Sequence, residues 1–358
     1  MTQTTTNSVP QAVLRLPNPR GHVLNFASSY KVIYDALAQR DDFSIDDGVV
    51  ALIERRMVSS SGAVGTEALR RSTRKDRTRD PLFNQFKMFS ELYRLLGWLH
   101  ATTKKSRFRC TALGRYVAAY ERDQSIKRGL VEESLVGIVM PNVHSRNIGV
   151  RNLRPFAKLL ELMLLLDGEI SRDEMILGIY TIADDQPATV VGERAKLIHR
   201  LRQGGDHSAV AGLLAQAARG RQVNSLWNYT RFMIGAITGV GWAAEETRRQ
   251  PYSRRVKFFK LTAHGREVAE HVVRRTDLRQ TDVAARPVEV RAALCEIGHI
   301  GLLARAGVAV TSEHDELARD AFAALPGDLR GKLPADYREV EFSPYQQADG
   351  DALRLAES

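Results

Sequence analysis

Apolar residues recur at helical spacing through the first third of the chain. In SSYKVIYDALAQ, Val32, Ile33 and Leu37 share a face, and in IDDGVVALIERRMV so do Val49, Leu52 and Ile53. Ser44, Asp46 and Asp47 offer cap chemistry between these two predicted helices. PLFNQFKMFSELYRLLGW predicts a third helix. Pro81 suits its first position, Phe83, Phe86, Phe89, Leu92, Tyr93 and Leu96 line one face, and Gly97 ends it. The pattern then turns to alternation around a polar, basic turn in WLHATTKKSRFRCTALG, which predicts a β-hairpin. Helix, helix, helix, hairpin is the winged-helix order.

The same order returns near residue 225. NSLWNYTRFMIGAITGVGW predicts a helix ending at Gly239 or Gly241, and AAEETRRQPYSRRVKFFKLTAHG a second, longer hairpin. Gly97-Trp98 aligns with Gly241-Trp242, and CTALGRYVA from Cys110 aligns with LTAHGREVA from Leu261 at six of nine positions. An internal duplication follows. In each copy Thr111 or Thr262 caps the next helix, so the repeated block is a signature of fold and not of chemistry.

Between the copies, Pro155 starts a helix, Gly168 stops it, and Ser171 with Glu174 forms a capping box for the next. VVGERAKLIHRLRQ predicts a further helix. The expected fold class is mainly α with short β-hairpins: tandem winged-helix-like modules around a helical middle. The expected divisions are a disordered N-terminal arm over 1–27, a first module over 28–135, a helical segment with the second module over 150–280, a helical linker over 285–325 and an acidic tail over 326–358. The length of 358 residues suits several such pieces.

Charge narrows the choice of partner. The chain carries 52 Lys+Arg against 42 Asp+Glu, a net +10, and the cations are clustered. Residues 60–130 hold 16 basic against 6 acidic side chains, 240–280 hold 10 against 5, and 310–358 hold 5 against 11. Two basic islands beside predicted hairpins point to a polyanion. No apolar run is long enough for a membrane span, and the first residues lack the charged and apolar regions of a secretory signal. With only two cysteines, Cys110 and Cys295, no disulfide framework is available, so a cytoplasmic location is expected.

The candidate DNA contacts fall in three groups. Arg70, Arg71, Ser72, Thr73, Arg74, Lys75, Arg77 and Arg79 combine cations with small hydroxyl donors, the composition that phosphates need, just before the expected recognition helix. Both hairpin turns are cationic, with Lys104, Lys105 and Arg107 in one and Arg248, Arg249, Arg254, Arg255 and Lys257 in the other. Asn84, Gln85 and Lys87 are the polar residues nearest a helix start that could read base edges.

Catalytic motifs are scarce. GIYTI at 178–182 looks like part of a GIY-YIG nuclease, but the second tyrosine is replaced by Val190-Val191-Gly192 and the helical spacing puts GIY inside a helix. Glu339-Val-Glu341 sits in a plausible strand without the lysine that a Mg²⁺-dependent nuclease places after its acids. Cys295 and His299 have ligand-like spacing, and a core pair explains it better. No catalytic residue, metal site or cofactor is assigned to this chain.

The order and spacing of several pieces resemble the DNA-recognition region of AlwI-like type IIS restriction endonucleases and related nicking endonucleases. The matching pieces are STRKDR (72–77) before a helix, Gly97-Trp98 with TALGRYVA, RPFAKLLELMLLLDGEISRDEMILGIYTIADD (154–185), VVGERAKLIHRLR and the block ending TAHGREVA. The resemblance spans roughly 28–275. It implies sequence-specific binding of double-stranded DNA in a restriction or phage-defence system. In that family a C-terminal nuclease domain cuts outside the site, and this chain stops where that domain would begin. The resemblance then implies a separate nuclease subunit, which alone would need Mg²⁺, or else a recognition fragment or a degenerate copy, with 288–307 resembling the linker and the acidic tail as a docking segment for the partner. The alternatives are an endonuclease with an unrecognised site and a winged-helix transcription regulator.

Overall fold

Ser44 and Ser171 start the same local structure in two places. Each accepts a hydrogen bond from the backbone N–H three residues on, Asp47 in one case and Glu174 in the other, and each of those acids reaches back to the serine N–H. The computed structural model describes residues 9–17, 21–57, 59–60, 63–64, 67–68, 80–102, 104, 106–141, 149–204, 207–249, 255–348 and 350–356. The chain divides into two compact units. One comprises Pro19–Ile138, Asn142–Ser145 and Arg275–Ser358, and the other Met1–Asn18, Val139–Pro141 and Arg146–Arg274. They are called here the discontinuous unit and the middle unit.

In the discontinuous unit the first copy of the repeat runs α1 (Asn25–Leu37), β1 (Phe43–Ser44), α2 (Ile45–Glu54), α3 (Pro81–Leu95), β2 (Leu99–Ala101), β3 (Arg107–Cys110) and α4 (Ala112–Ala119), followed by α5 (Gln124–Val136). Strand β3 lies between β1 and β2, antiparallel to both, with Phe43 opposite Phe108 and Leu99 opposite Cys110. Asp80 caps α3, Pro81 sits at its first position, and Gly97 ends it with φ +79°. The buried face of α3 starts at Leu82, while Phe83, expected to be inward, is half-exposed.

The middle unit repeats this order with α6 (Pro155–Leu165), β4 (Glu169–Ser171), α7 (Arg172–Met175, continued by a π-helical turn to Tyr180), α8 (Val190–Gly204), α9 (His207–Ala218), α10 (Val223–Gly239), β5 (Ala243–Arg249), β6 (Arg255–Leu261) and α11 (Ala263–Arg274). Here β6 lies between β4 and β5, with Ile170 opposite Phe259 and Ala243 opposite Leu261. Helices α8 and α9 are inserted within the second copy, between α7 and α10.

The junction between hairpin and helix is the same in both copies. The Thr111 hydroxyl donates to the Gly97 carbonyl at 2.7 Å and accepts from Gly114 N–H at 3.0 Å. The Thr262 hydroxyl donates to the Gly241 carbonyl at 2.7 Å and accepts from Gly265 N–H at 2.9 Å. Trp98 and Trp242, the residues after the two positive-φ glycines, are fully buried. A threonine must bridge the end of one helix to the start of another while a tryptophan fills the space beneath, and those demands explain why TALGR and TAHGR survive.

Three regions differ from their sequence-based expectations. Residues 9–17, expected within a disordered arm, pack into the middle unit. Val13 N–H donates to the Tyr180 carbonyl at 2.8 Å, Ala12 N–H donates to the Ala217 carbonyl at 2.9 Å, and Ala12, Leu14 and Leu16 are buried. Burial of such side chains gains roughly 1.5–3 kcal/mol for each large one, enough to offset much of the cost of ordering a short segment. The expected linker is core of the discontinuous unit: α12 (Val288–Arg305) buries Leu294, Ile297, Ile300, Leu302 and Leu303, and α13 (Ser312–Ala324) packs on it. The acidic stretch is folded there too, where Tyr337, Val340, Phe342 and Tyr345 are buried.

A buried ion cluster ties this second segment of the discontinuous unit to α5. Arg275 reaches Glu133 and Glu341, each at 2.9 Å, and Arg305 reaches Glu133 at 2.7 Å. Glu341 is thereby engaged as a structural acid.

Candidate nucleic-acid interface

Hairpin β2–β3 of the discontinuous unit owes its cationic edge to Lys104 and Arg107. Both pair with Asp42, which immediately precedes β1: Lys104 at 3.1 Å, and Arg107 through Nε to the carboxylate and through a second nitrogen to the Asp42 carbonyl. The Arg107 hydrogen bond, joined by Lys104, holds the Asp42 carboxyl below its ordinary pKa against the opposing effect of desolvation. Lys104 is exposed and Arg107 half-buried, so both cations face solvent with a carboxylate already beside them.

The longer hairpin β5–β6 of the middle unit carries Arg248, Arg249 and Arg255 on its paired strands, with Arg249 opposite Arg255. Lys257 is exposed and pairs across the hairpin with Glu245 at 2.6 Å. Arg254, Lys105 and the candidates Arg70, Arg71, Ser72, Thr73, Arg74, Lys75, Arg77 and Arg79 lie outside the described residues.

On α3, Lys87 is exposed and Asn84 and Gln85 are half-buried. Asn84 and Lys87 lie opposite the face formed by Leu82, Phe86 and Phe89, which seats the helix in its unit, and Gln85 lies at the edge of that face. Counted back from Gly97 and Gly241, the sequences of α3 and α10 align without a gap: Leu82 with Leu226, Asn84 with Asn228, Phe89 with Met233 and Lys87 with Arg231. Asn224, Asn228 and Arg231 of α10 are all exposed. Sequence reading missed them, although the register from the paired Gly-Trp motifs was available to find them.

The residues that raised catalytic or metal readings have structural partners. Tyr180 is buried in a π-helical turn and donates to the Tyr229 carbonyl at 2.7 Å. His299 shares a hydrogen bond with the Tyr345 hydroxyl at 2.9 Å, and burial, aided by Arg115 and His314, pushes its pKa down to about 4. Burial pushes the Cys110 thiol up to about 11. Among the described residues no group of three or more His, Cys, Asp or Glu side chains is placed to hold a metal ion. No helix among them is long and apolar enough to cross a membrane.

The sequence matches no known protein family and no curated protein. Among solved structures, the chain is similar to the BpuJ1 endonuclease binding domain, crystallised with pyrene- and phenanthrene-modified DNA, at 12% identity and a TM-score of 0.47 over 72% of this chain and 84% of that one. It is also similar to restriction endonuclease FokI, at 14% identity and a TM-score of 0.37 over 88% of this chain, where it spans 61% of the FokI chain.

Proposed function

We propose that this protein binds double-stranded DNA with sequence specificity, as the recognition component of a restriction or phage-defence system whose cleavage comes from a separate nuclease subunit. Its two repeats act as winged-helix-like modules. In each, the helix before the hairpin, α3 or α10, enters a major groove, and the cationic hairpin lies along the backbone. The basic run at 70–79 adds phosphate contacts through Arg74, Lys75 and Arg77.

One observation carries the proposal. The same strand, capped helix, helix and hairpin unit occurs twice, and both hairpins carry surplus cations although their sequences differ. A duplicated module that served only as scaffold has no need to keep its tips basic. Within the duplicated elements the polar, outward face of the second long helix and the basic hairpin recur together.

The test is titration of the full chain with duplex DNA over a range of salt concentrations. Binding should weaken steeply with salt, and replacing Arg74, Lys75 and Arg77 together by alanine should flatten the slope of log K against log[salt] by about 2.7, three phosphates at roughly 0.9 each. An unchanged slope removes these residues from the interface, and absence of binding at low salt removes the function. Incubation of the chain with supercoiled plasmid and Mg²⁺ should leave the plasmid intact; nicking or linearisation would make this chain the nuclease.

A further inference from the structure

Asn224, Asn228 and Arg231 stand at i, i+4 and i+7 on α10, so they form one stripe along a single face. All three are exposed, and among the described residues their side chains make no hydrogen bond or ion pair. The opposite face, with Leu226, Met233, Ala236 and Ile237, is buried. Trp227, between the stripe and the core, donates its indole N–H to Asp173 at 2.8 Å and fixes α10 against α7. That contact also brings together the two residues beside it: Arg172 precedes Asp173, and Arg231 lies one turn after Trp227. Arg231 acts on Arg172 as a repelling charge, second only to the desolvation of Arg172 itself.

Asp173 and Glu245 attract Arg172, each less strongly than Arg231 repels it, and both acids have other partners. Asp173 holds Trp227, and Glu245 is engaged by Lys257 at 2.6 Å. Two like charges that feel each other repel, and an electronegative group placed between them removes the repulsion.

We propose that α10 is the base-reading helix of this protein, with Asn228 reading an adenine, Arg231 reading a guanine on the neighbouring base pair, and Arg172 holding the adjoining phosphate. The assignment rests on the DNA-binding function proposed above and places the reading on α10, where α3 had been the expected helix. Asparagine matches the N6/N7 edge of adenine and arginine the O6/N7 edge of guanine, each through two hydrogen bonds. Three residues of helix advance about 4.5 Å, close to one base step of about 3.4 Å, so Asn228 and Arg231 reach successive pairs. Helix α3 is less suited, because Asn84 and Gln85 are half-buried and the neighbouring exposed Met88 offers no hydrogen bond.

The test is selection of binding sites from a random duplex library by the full chain and by its Asn228→Ala, Arg231→Ala, Arg172→Gln and Asn84→Ala variants. Wild type should return a motif with an adjacent adenine and guanine. Asn228→Ala should lose preference at the adenine and Arg231→Ala at the guanine, by about tenfold each. Arg172→Gln should keep the motif and flatten the salt slope by about 0.9. Asn84→Ala should return the wild-type motif. Because the altered α10 residues are exposed, unchanged thermal melting excludes misfolding as the cause. An unaltered motif from Asn228→Ala and Arg231→Ala overturns the assignment while DNA binding stands, as does salt-sensitive wild-type binding without a motif. No wild-type binding at any salt concentration overturns the underlying function instead.

Discussion

The two copies of the repeat agree in the hydrogen bonds of the junction between hairpin and helix and differ in what their buried tryptophans are given to bond. In the discontinuous unit the Trp98 indole donates to the Ser134 hydroxyl on α5 at 2.9 Å, and Ser134 passes a bond to the Leu130 carbonyl at 2.7 Å. In the middle unit Trp242 is equally buried, yet its indole nitrogen has no partner among the described residues. The first copy is followed by a helix that supplies a hydroxyl, whereas the second copy ends at α11. Both copies have the apolar socket, and the polar bond depends on what packs around it.

The junction glycines test whether the backbones are equivalent, and they carry the largest expected effects. A methyl group on Gly265 would come 1.8 Å from the Trp242 carbonyl oxygen, and one on Gly114 would meet the Tyr30 hydroxyl at 2.0 Å and the Trp98 carbonyl at 2.6 Å. In an open helix Gly→Ala is favourable by about 1 kcal/mol. Here Gly265→Ala should cost about 3 kcal/mol in denaturant unfolding and Gly114→Ala about 2 kcal/mol, since a side chain yields more readily than a backbone carbonyl. A neutral result in either copy would show that its helix and hairpin are not in close contact.

Ser134→Ala probes the difference between the copies. It should destabilise the discontinuous unit by roughly 1–3 kcal/mol by leaving the Trp98 N–H buried without a partner. Fluorescence-detected unfolding would measure this loss. Equal stability would mean that the first copy, like the second, tolerates an unbonded indole.

The hairpins offer the smallest and subtlest contrast. Asp42 neutralises two cations of the first, Lys104 and Arg107, and Glu245 neutralises one of the second, Lys257. Because these pairs are at or near the surface, solvent screening leaves each only a weak contribution. Asp42→Asn should therefore raise duplex affinity by no more than about fivefold, and Glu245→Gln by less. A fall in affinity would show that the carboxylates orient the cations for phosphate.

Much of the fold was legible because its signals are local. Ser44 with Asp47, Ser171 with Glu174, Pro81 and Pro155 at helix starts, and Gly97, Gly168 and Gly241 at stops each act within a few residues, so sequence alone places them. The candidate site was legible as composition: basic hairpins and a polar helix face. Its balance of charge was not, because Asp42 meets Arg107 only across paired strands and Asp173 meets Trp227 only across two helices. Nor did composition distinguish α10 from α3, since exposure depends on what packs beneath each helix.

The sequence by itself determined the elements, their caps and the repetition of one module. Tertiary structure decided which segments share a core. Residues 9–17 show alternating burial and join the middle unit, while 275–356 return to the unit that begins with α1, where Arg275 and Arg305 meet Glu133. Such pairings join residues more than a hundred positions apart. They are selected by the apolar surface and charge that each segment can bury against another, which no short window of the chain contains.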